Sequence, residues 1–127
     1  MAKAFFKQGY QVSQPLIPDS RYDFIADIYG KLYKIQVKTG TVKDNGSYIE
    51  FATSSSHTNC KGTTNRSYSK DEIDFFATML NSQCYIIPVQ DCGSRTQRLR
   101  LKPTKNGQTK GIKFAKDYEI DKMFPND

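Results

Sequence analysis

Residues 21–40 read Arg21-Tyr22-Asp23-Phe24-Ile25-Ala26-Asp27-Ile28-Tyr29-Gly30-Lys31-Leu32-Tyr33-Lys34-Ile35-Gln36-Val37-Lys38-Thr39-Gly40. Period-two alternation puts Tyr22, Phe24, Ala26 and Ile28 on one face and Asp23, Ile25 and Asp27 on the other, the pattern of a strand with one side on a core. Tyr29-Gly30-Lys31 is a tight turn. A second strand, Leu32 to Thr39, follows: Tyr33, Ile35 and Val37 share one face, and Lys34, Gln36 and Lys38 point the opposite way. Downstream, the turn residues Asp44-Asn45-Gly46 lead into a third strand, Ser47 to Thr53. Three strands with short connections predict an antiparallel meander.

Residues 2–8 favour a short helix that Gly9 stops, and Tyr10 to Val12 can form a short extended piece. Pro15 and Pro18 mark a loop through 13–20, and the polar stretch 54–68 predicts a long loop. Ser69 with Glu72 three residues on is a capping box; Ile73, Phe76, Ala77 and Leu80 then supply a helical apolar stripe. Cys84 to Val89 reads as a buried strand, 98–102 as a strand and 115–122 as a closing helix. The expected class is α/β, a mixed sheet with an antiparallel hairpin flanked by helices.

The chain has 127 residues and no internal repeat, which predicts one domain over residues 1–127. It carries 19 Lys+Arg against 13 Asp+Glu, a formal charge of +6, with 37% hydrophobic and 13% aromatic residues. That balance excludes a membrane protein and a wholly disordered chain, and it suits an anionic partner, nucleic acid first. The start shows no secretory signal, and Cys60, Cys84 and Cys92 are odd in number without CxxC spacing. Reduced thiols and a cytoplasmic setting are expected.

Gln36 and Lys38 are two apart on one strand, so amide and ammonium project from the same face. The hairpin can set Asp23 beside them. A carboxylate, the Gln36 amide oxygen and the Val37 carbonyl suit a hard divalent ion such as Mg²⁺; Lys38 can then orient a water or stabilise a transition state. This is the equipment for phosphodiester hydrolysis. The same residues also fit a solvated strand face, and the pattern alone leaves both readings open. Asp27 can be a second ligand or a charge at the hairpin end; Asp19 spells Pro-Asp with Pro18 but sits in the loop; His57 is a lone histidine in a polar segment.

The stretch Arg21 to Asp27, with Gly30 to Thr39, resembles the PD-(D/E)xK nucleases, most closely the homing endonucleases of that fold encoded in group I introns. The resemblance continues through Tyr85-Ile86-Ile87-Pro88-Val89, Leu99 to Gln108 and Ala115 to Tyr118. It implies an αβββαβ core, metal ligation by Asp23, catalytic roles for Asp23, Gln36 and Lys38, and metal contacts from Gln36 and Val37. Mg²⁺ is the implied cofactor, with Mn²⁺ able to substitute. The implied activity is site-specific cleavage of double-stranded DNA, by a dimer or tetramer. This sequence departs from the pattern twice. Gln36 stands where most of the superfamily has Glu, and no Glu precedes Glu50 where the family's opening helix carries one. A truncated start, a substituting acid, or an inactive DNA-binding or inhibitory module on the same fold remain open; a junction-specific resolvase is a further alternative.

Acidic residues are absent between Phe51 and Lys70 and between Arg95 and Lys116. Lys61 and Arg66 lie in the first stretch; Arg98, Arg100, Lys102, Lys105, Asn106 and Gln108 lie in the second. Cations among small polar residues suit phosphate contact, and Asn, Gln and Arg can read base edges.

Overall fold

The computed structural model describes residues 2–18 and 20–125. Helix α1 (Ala2–Lys7) opens the chain and ends where expected, at Gly9 with φ +83°. Ten strands follow: β1 (Gln11–Ser13), β2 (Phe24–Ile28), β3 (Lys31–Val37), β4 (Thr41–Lys43), β5 (Tyr48–Ala52), β6 (Ser54–Asn59), β7 (Gly62–Ser67), β8 (Phe75–Leu80), β9 (Gln83–Pro88) and β10 (Thr96–Arg100). A 3-10 turn at Ala115–Tyr118 precedes helix α2 (Ile120–Met123). The expected closing helix is thus split at Glu119, whose ψ of 140° is extended.

The main sheet has five strands in the order β1-β2-β3-β8-β9, antiparallel except for the parallel β3–β8 pair. Tyr29 (φ 55°) and Gly30 (φ +83°) join β2 to β3, the two left-handed residues that a type I′ hairpin turn requires. Asp27 Oδ1 accepts a hydrogen bond from Gly30 N at 3.1 Å. Of the two readings of Asp27, the geometry matches the hairpin-end charge.

The main sheet is covered on both faces. Phe5, Phe24, Ile35, Ile86 and Ile120 pack on the side of the two helices. Ile49, Phe76, Ile87 and Leu99 pack on the other, beneath a second sheet in the order β10-β5-β4. That position corrects the meander: β5 pairs with β10 and β4, not with β3. Strand β8 has taken the open edge of β3, and the chain leaves the main sheet at Gly40. A Cβ built there would lie 2.5 Å from Ile49 Cδ1 and 2.7 Å from Thr78 Oγ1, so only the bare backbone fits over β8. Gly40→Ala should therefore lower stability by about 1–3 kcal/mol through overpacking, read as a lower urea midpoint at unchanged slope.

The helix expected over 69–80 is a second correction. Half of the capping box forms: Ser69 N donates to Glu72 Oε1 at 3.1 Å, while the turn itself is closed by backbone, Ile73 N donating to Ser69 O at 3.1 Å. It caps a single turn. At Asp74 the chain is captured by β3, with Asp74 N donating to Lys34 O (2.9 Å) and Lys34 N to Asp74 Oδ2 (2.8 Å). Phe75 through Thr78 are then all buried, because a strand inside a two-faced sheet puts every residue in a core. Such a run satisfies a helical stripe equally well. The αβββαβ order loses its second helix accordingly.

The loop expected over 54–68 is also corrected. It is the β6–β7 ribbon, registered from Ser54↔Ser67 to Asn59↔Gly62. Every residue of β7 is exposed, so no apolar alternation marked it. The strand expected at 98–102 begins and ends two residues earlier.

Candidate active site

Asp23 sits one step before β2, opposite Gln36 by continuation of the Phe24↔Ile35 register. Its backbone N–H donates to Ile35 O at 2.8 Å. Its carboxylate then takes the place of the next ladder carbonyl: Asp23 Oδ2 accepts from Val37 N at 2.7 Å. Lys38 N donates to Ala77 O at 2.9 Å, so the parallel partner β8 anchors the end of β3. The fold therefore brings Asp23, Gln36, Val37 and Lys38 together at one end of the hairpin. Gln36 Nε2 lies 3.4 Å from Val37 O, and Lys38 Nζ lies 3.4 Å from Ser54 O.

Three oxygen donors are available here: the Asp23 carboxylate, the Gln36 side-chain oxygen and the Val37 carbonyl. Asp23 is exposed and fixed through one oxygen; the other has no hydrogen-bond partner among the described residues. Hard oxygen donors with room for waters suit Mg²⁺ or Mn²⁺, so the residues fit a divalent ion. No cluster of three His, Cys, Asp or Glu side chains exists among the described residues, and α1 carries no carboxylate. The set thus has a single negative charge.

Four neighbours were not legible as site residues. Arg21 donates from Nε to Glu72 Oε2 (2.9 Å), from Nη1 to Ser55 Oγ (2.7 Å) and from Nη2 to Ser67 O (2.8 Å). Its guanidinium lies 3.7 Å from the centre of the Tyr68 ring. Lys38 Nζ lies 5.1 Å from the same ring. Burial opposes the charge of Glu72, but the Ser69 N–H, Arg21 and Arg66 outweigh it and hold the carboxyl below its ordinary value. The separations from Arg21 to Ser55, Tyr68 and Glu72 leave no local signal; only the capping box hinted at Glu72.

The expected DNA contacts divide by what already engages them. Lys61 stands at the ribbon tip between β6 and β7, and Arg66 on β7 pairs with Glu72 at 2.8 Å. Arg98 pairs with Glu50 at 2.8 Å and stacks on Tyr48. Arg100 donates to the Lys102 and Pro103 carbonyls, and Lys102 Nζ to Asn45 O. Asn106 Oδ1 accepts from Gln108 N at 3.0 Å, a local turn, while Lys105 is exposed. Asp19 and the His57 side chain lie outside the described residues. Burial pushes the thiols of Cys84 and Cys92 up to about 12, so neither is a ready nucleophile.

An aspartate at the mouth of a β-hairpin thus lies beside a Gln-Val-Lys strand end within a mixed sheet. The family model for PD-(D/E)XK endonucleases matches residues 1–121, and the chain belongs to that family. Among solved structures, a bacterial homing endonuclease, I-Ssp6803I, is similar at 20% identity with a TM-score of 0.74, over 93% of this chain and 80% of that one. No curated protein matches. No helix of the described residues is long and apolar enough to cross a membrane.

Proposed function

We propose that residues 1–127 act as one nuclease domain that hydrolyses phosphodiester bonds of double-stranded DNA at specific sites with a divalent metal, as a homing endonuclease. The observation that carries this reading is the Asp23 carboxylate held on Val37 N–H beside Gln36 and Lys38. Asp23, the Gln36 oxygen and the Val37 carbonyl would hold Mg²⁺, with Mn²⁺ able to substitute. Such an ion, when bound, neutralises phosphate charge and acidifies water. Lys38 sets a positive charge where the phosphoryl oxygens gain negative charge, and its ammonium can donate to and orient a water. The β6–β7 ribbon, free of acidic residues and exposed along β7, suits a major groove, which admits a two-stranded ribbon. The basic segment 95–116 adds phosphate contacts, and a dimer or tetramer supplies the symmetry for a long site.

The test exposes a randomised duplex library to the protein in Mg²⁺, Mn²⁺ or EDTA and sequences the cut ends. A recurrent cut in either metal and none in EDTA is expected; cleavage in EDTA overturns the reading. The single negative charge of the donor set favours a second reading, a DNA-binding module without cleavage. Binding in EDTA with no cut in either metal selects it.

Gln36 decides how strongly the ion is held. Gln36→Glu keeps the shape and adds a charge, worth about 1–4 kcal/mol at 4 Å between the high-dielectric limits. The Mg²⁺ midpoint for cleavage should fall for Gln36→Glu and rise for Gln36→Leu at fixed ionic strength. Equal midpoints would remove Gln36 from the ligand set.

A further inference from the structure

Lys38 has a long, flexible side chain, and freezing it costs rotamer entropy. Its ammonium meets two groups: the Ser54 carbonyl at 3.4 Å and the Tyr68 ring at 5.1 Å. Ser54 is buried where β6 begins, and Tyr68 follows β7 immediately. Both groups therefore belong to the base of the ribbon. The ring is immobilised by an edge contact with Phe76, centroids 5.3 Å apart at 87°, and Phe76 is 1% exposed. The Arg21 guanidinium is also stacked on this ring, at 3.7 Å.

Two cations on one ring would repel each other. Glu72 removes that conflict: its Oε2 takes both Arg21 Nε at 2.9 Å and Arg66 Nη2 at 2.8 Å. Arg21 also ties together Ser55 of β6 and Ser67 of β7, so the same fork that flattens on Tyr68 locks both ribbon strands. The ring is left for Lys38 to share with a guanidinium whose charge Glu72 partly offsets.

We infer that Tyr68, with the Arg21–Glu72 pair behind it, is a positioning platform that holds the Lys38 ammonium at the reaction centre. The inference rests on the nuclease reading of Asp23 and Lys38. The platform predicts an asymmetry that ordinary packing does not. Glu72→Gln leaves every neighbour the same size but uncovers the Arg21 charge beside Lys38. It should slow cleavage while leaving DNA binding unchanged or tighter, because an acid has been lost from a basic surface.

The test uses a duplex recovered from a randomised library by binding to the wild-type protein. Single-turnover cleavage at saturating protein is compared with affinity in EDTA and with the melting temperature. Tyr68→Leu and Glu72→Gln should each slow cleavage by about tenfold, between the exposed and the desolvated limits of a cation–π contact, with affinity no weaker than about twofold. Tyr68→Phe keeps the ring and should cleave within about twofold of wild type. Wild-type rates in Glu72→Gln, or rate and affinity falling together in step with the folded fraction, overturn the platform alone. A wild-type protein that binds but cuts in neither Mg²⁺ nor Mn²⁺ overturns the nuclease reading and the platform with it.

Discussion

Lys38→Ala and Asp23→Ala are each expected to slow cleavage by about a hundredfold or more while the duplex remains bound. In the proposed reaction the two positions would carry different halves of the chemistry: Lys38 would place a cation where charge develops, and Asp23 would be the one carboxylate of the oxygen set. Neither lies on the β6–β7 ribbon or in the basic 95–116 segment, so affinity in EDTA should change little. It should even rise for Asp23→Ala, which removes an anion from the side proposed to face DNA. Asp23→Asn separates charge from architecture. An Asn oxygen can still accept from Val37 N–H, so the hairpin end keeps its bond, yet the variant should be as inactive as Asp23→Ala. Quantitative gel shifts in EDTA and single-turnover rates in Mg²⁺ measure the two quantities. An Asp23→Asn protein that cuts at the wild-type rate would deny the carboxylate its role.

Phe76→Ala should cost about 3–5 kcal/mol, the range for an aromatic side chain deleted from a packed core. Phe76 is 1% exposed on β8 and contacts Phe51 of the second sheet (centroids 6.2 Å) and Tyr68 (5.3 Å). It joins the main sheet, the second sheet and the ring beside Lys38. Urea unfolding should show the midpoint falling at constant slope. A cost below about 1 kcal/mol would mean that the two layers collapse onto the vacancy, contrary to the tight packing of this face. Phe76→Leu, which keeps most of the volume, should recover most of the loss.

The β2–β3 hairpin was legible in type and turn, though β2 starts later and β3 starts and ends earlier than expected, because its information is local. Period-two alternation, the Tyr29-Gly30 turn and the spacing of Gln36 and Lys38 depend on neighbours a few positions apart. The same holds for the stop of α1 at Gly9 and the apolar run of β9. The placing of Asp23 beside Gln36 followed from that alternation plus one turn. Tertiary structure decided what β3 pairs with on its other side. Ser69 and Glu72 formed their turn as local chemistry dictates, but Lys34 bonded Asp74 twice, and the following residues became a strand. A segment buried on both faces has no polar positions to reveal its period, so Ile73, Phe76, Ala77 and Leu80 matched a helix that never forms. The ribbon left no trace in the sequence pattern for the opposite reason, since every residue of β7 is exposed. Arg21 with Ser55, Tyr68 and Glu72 is wholly a product of the fold: partners 34 to 51 residues apart share no local pattern, and only chain packing brings their charges and the ring to Lys38.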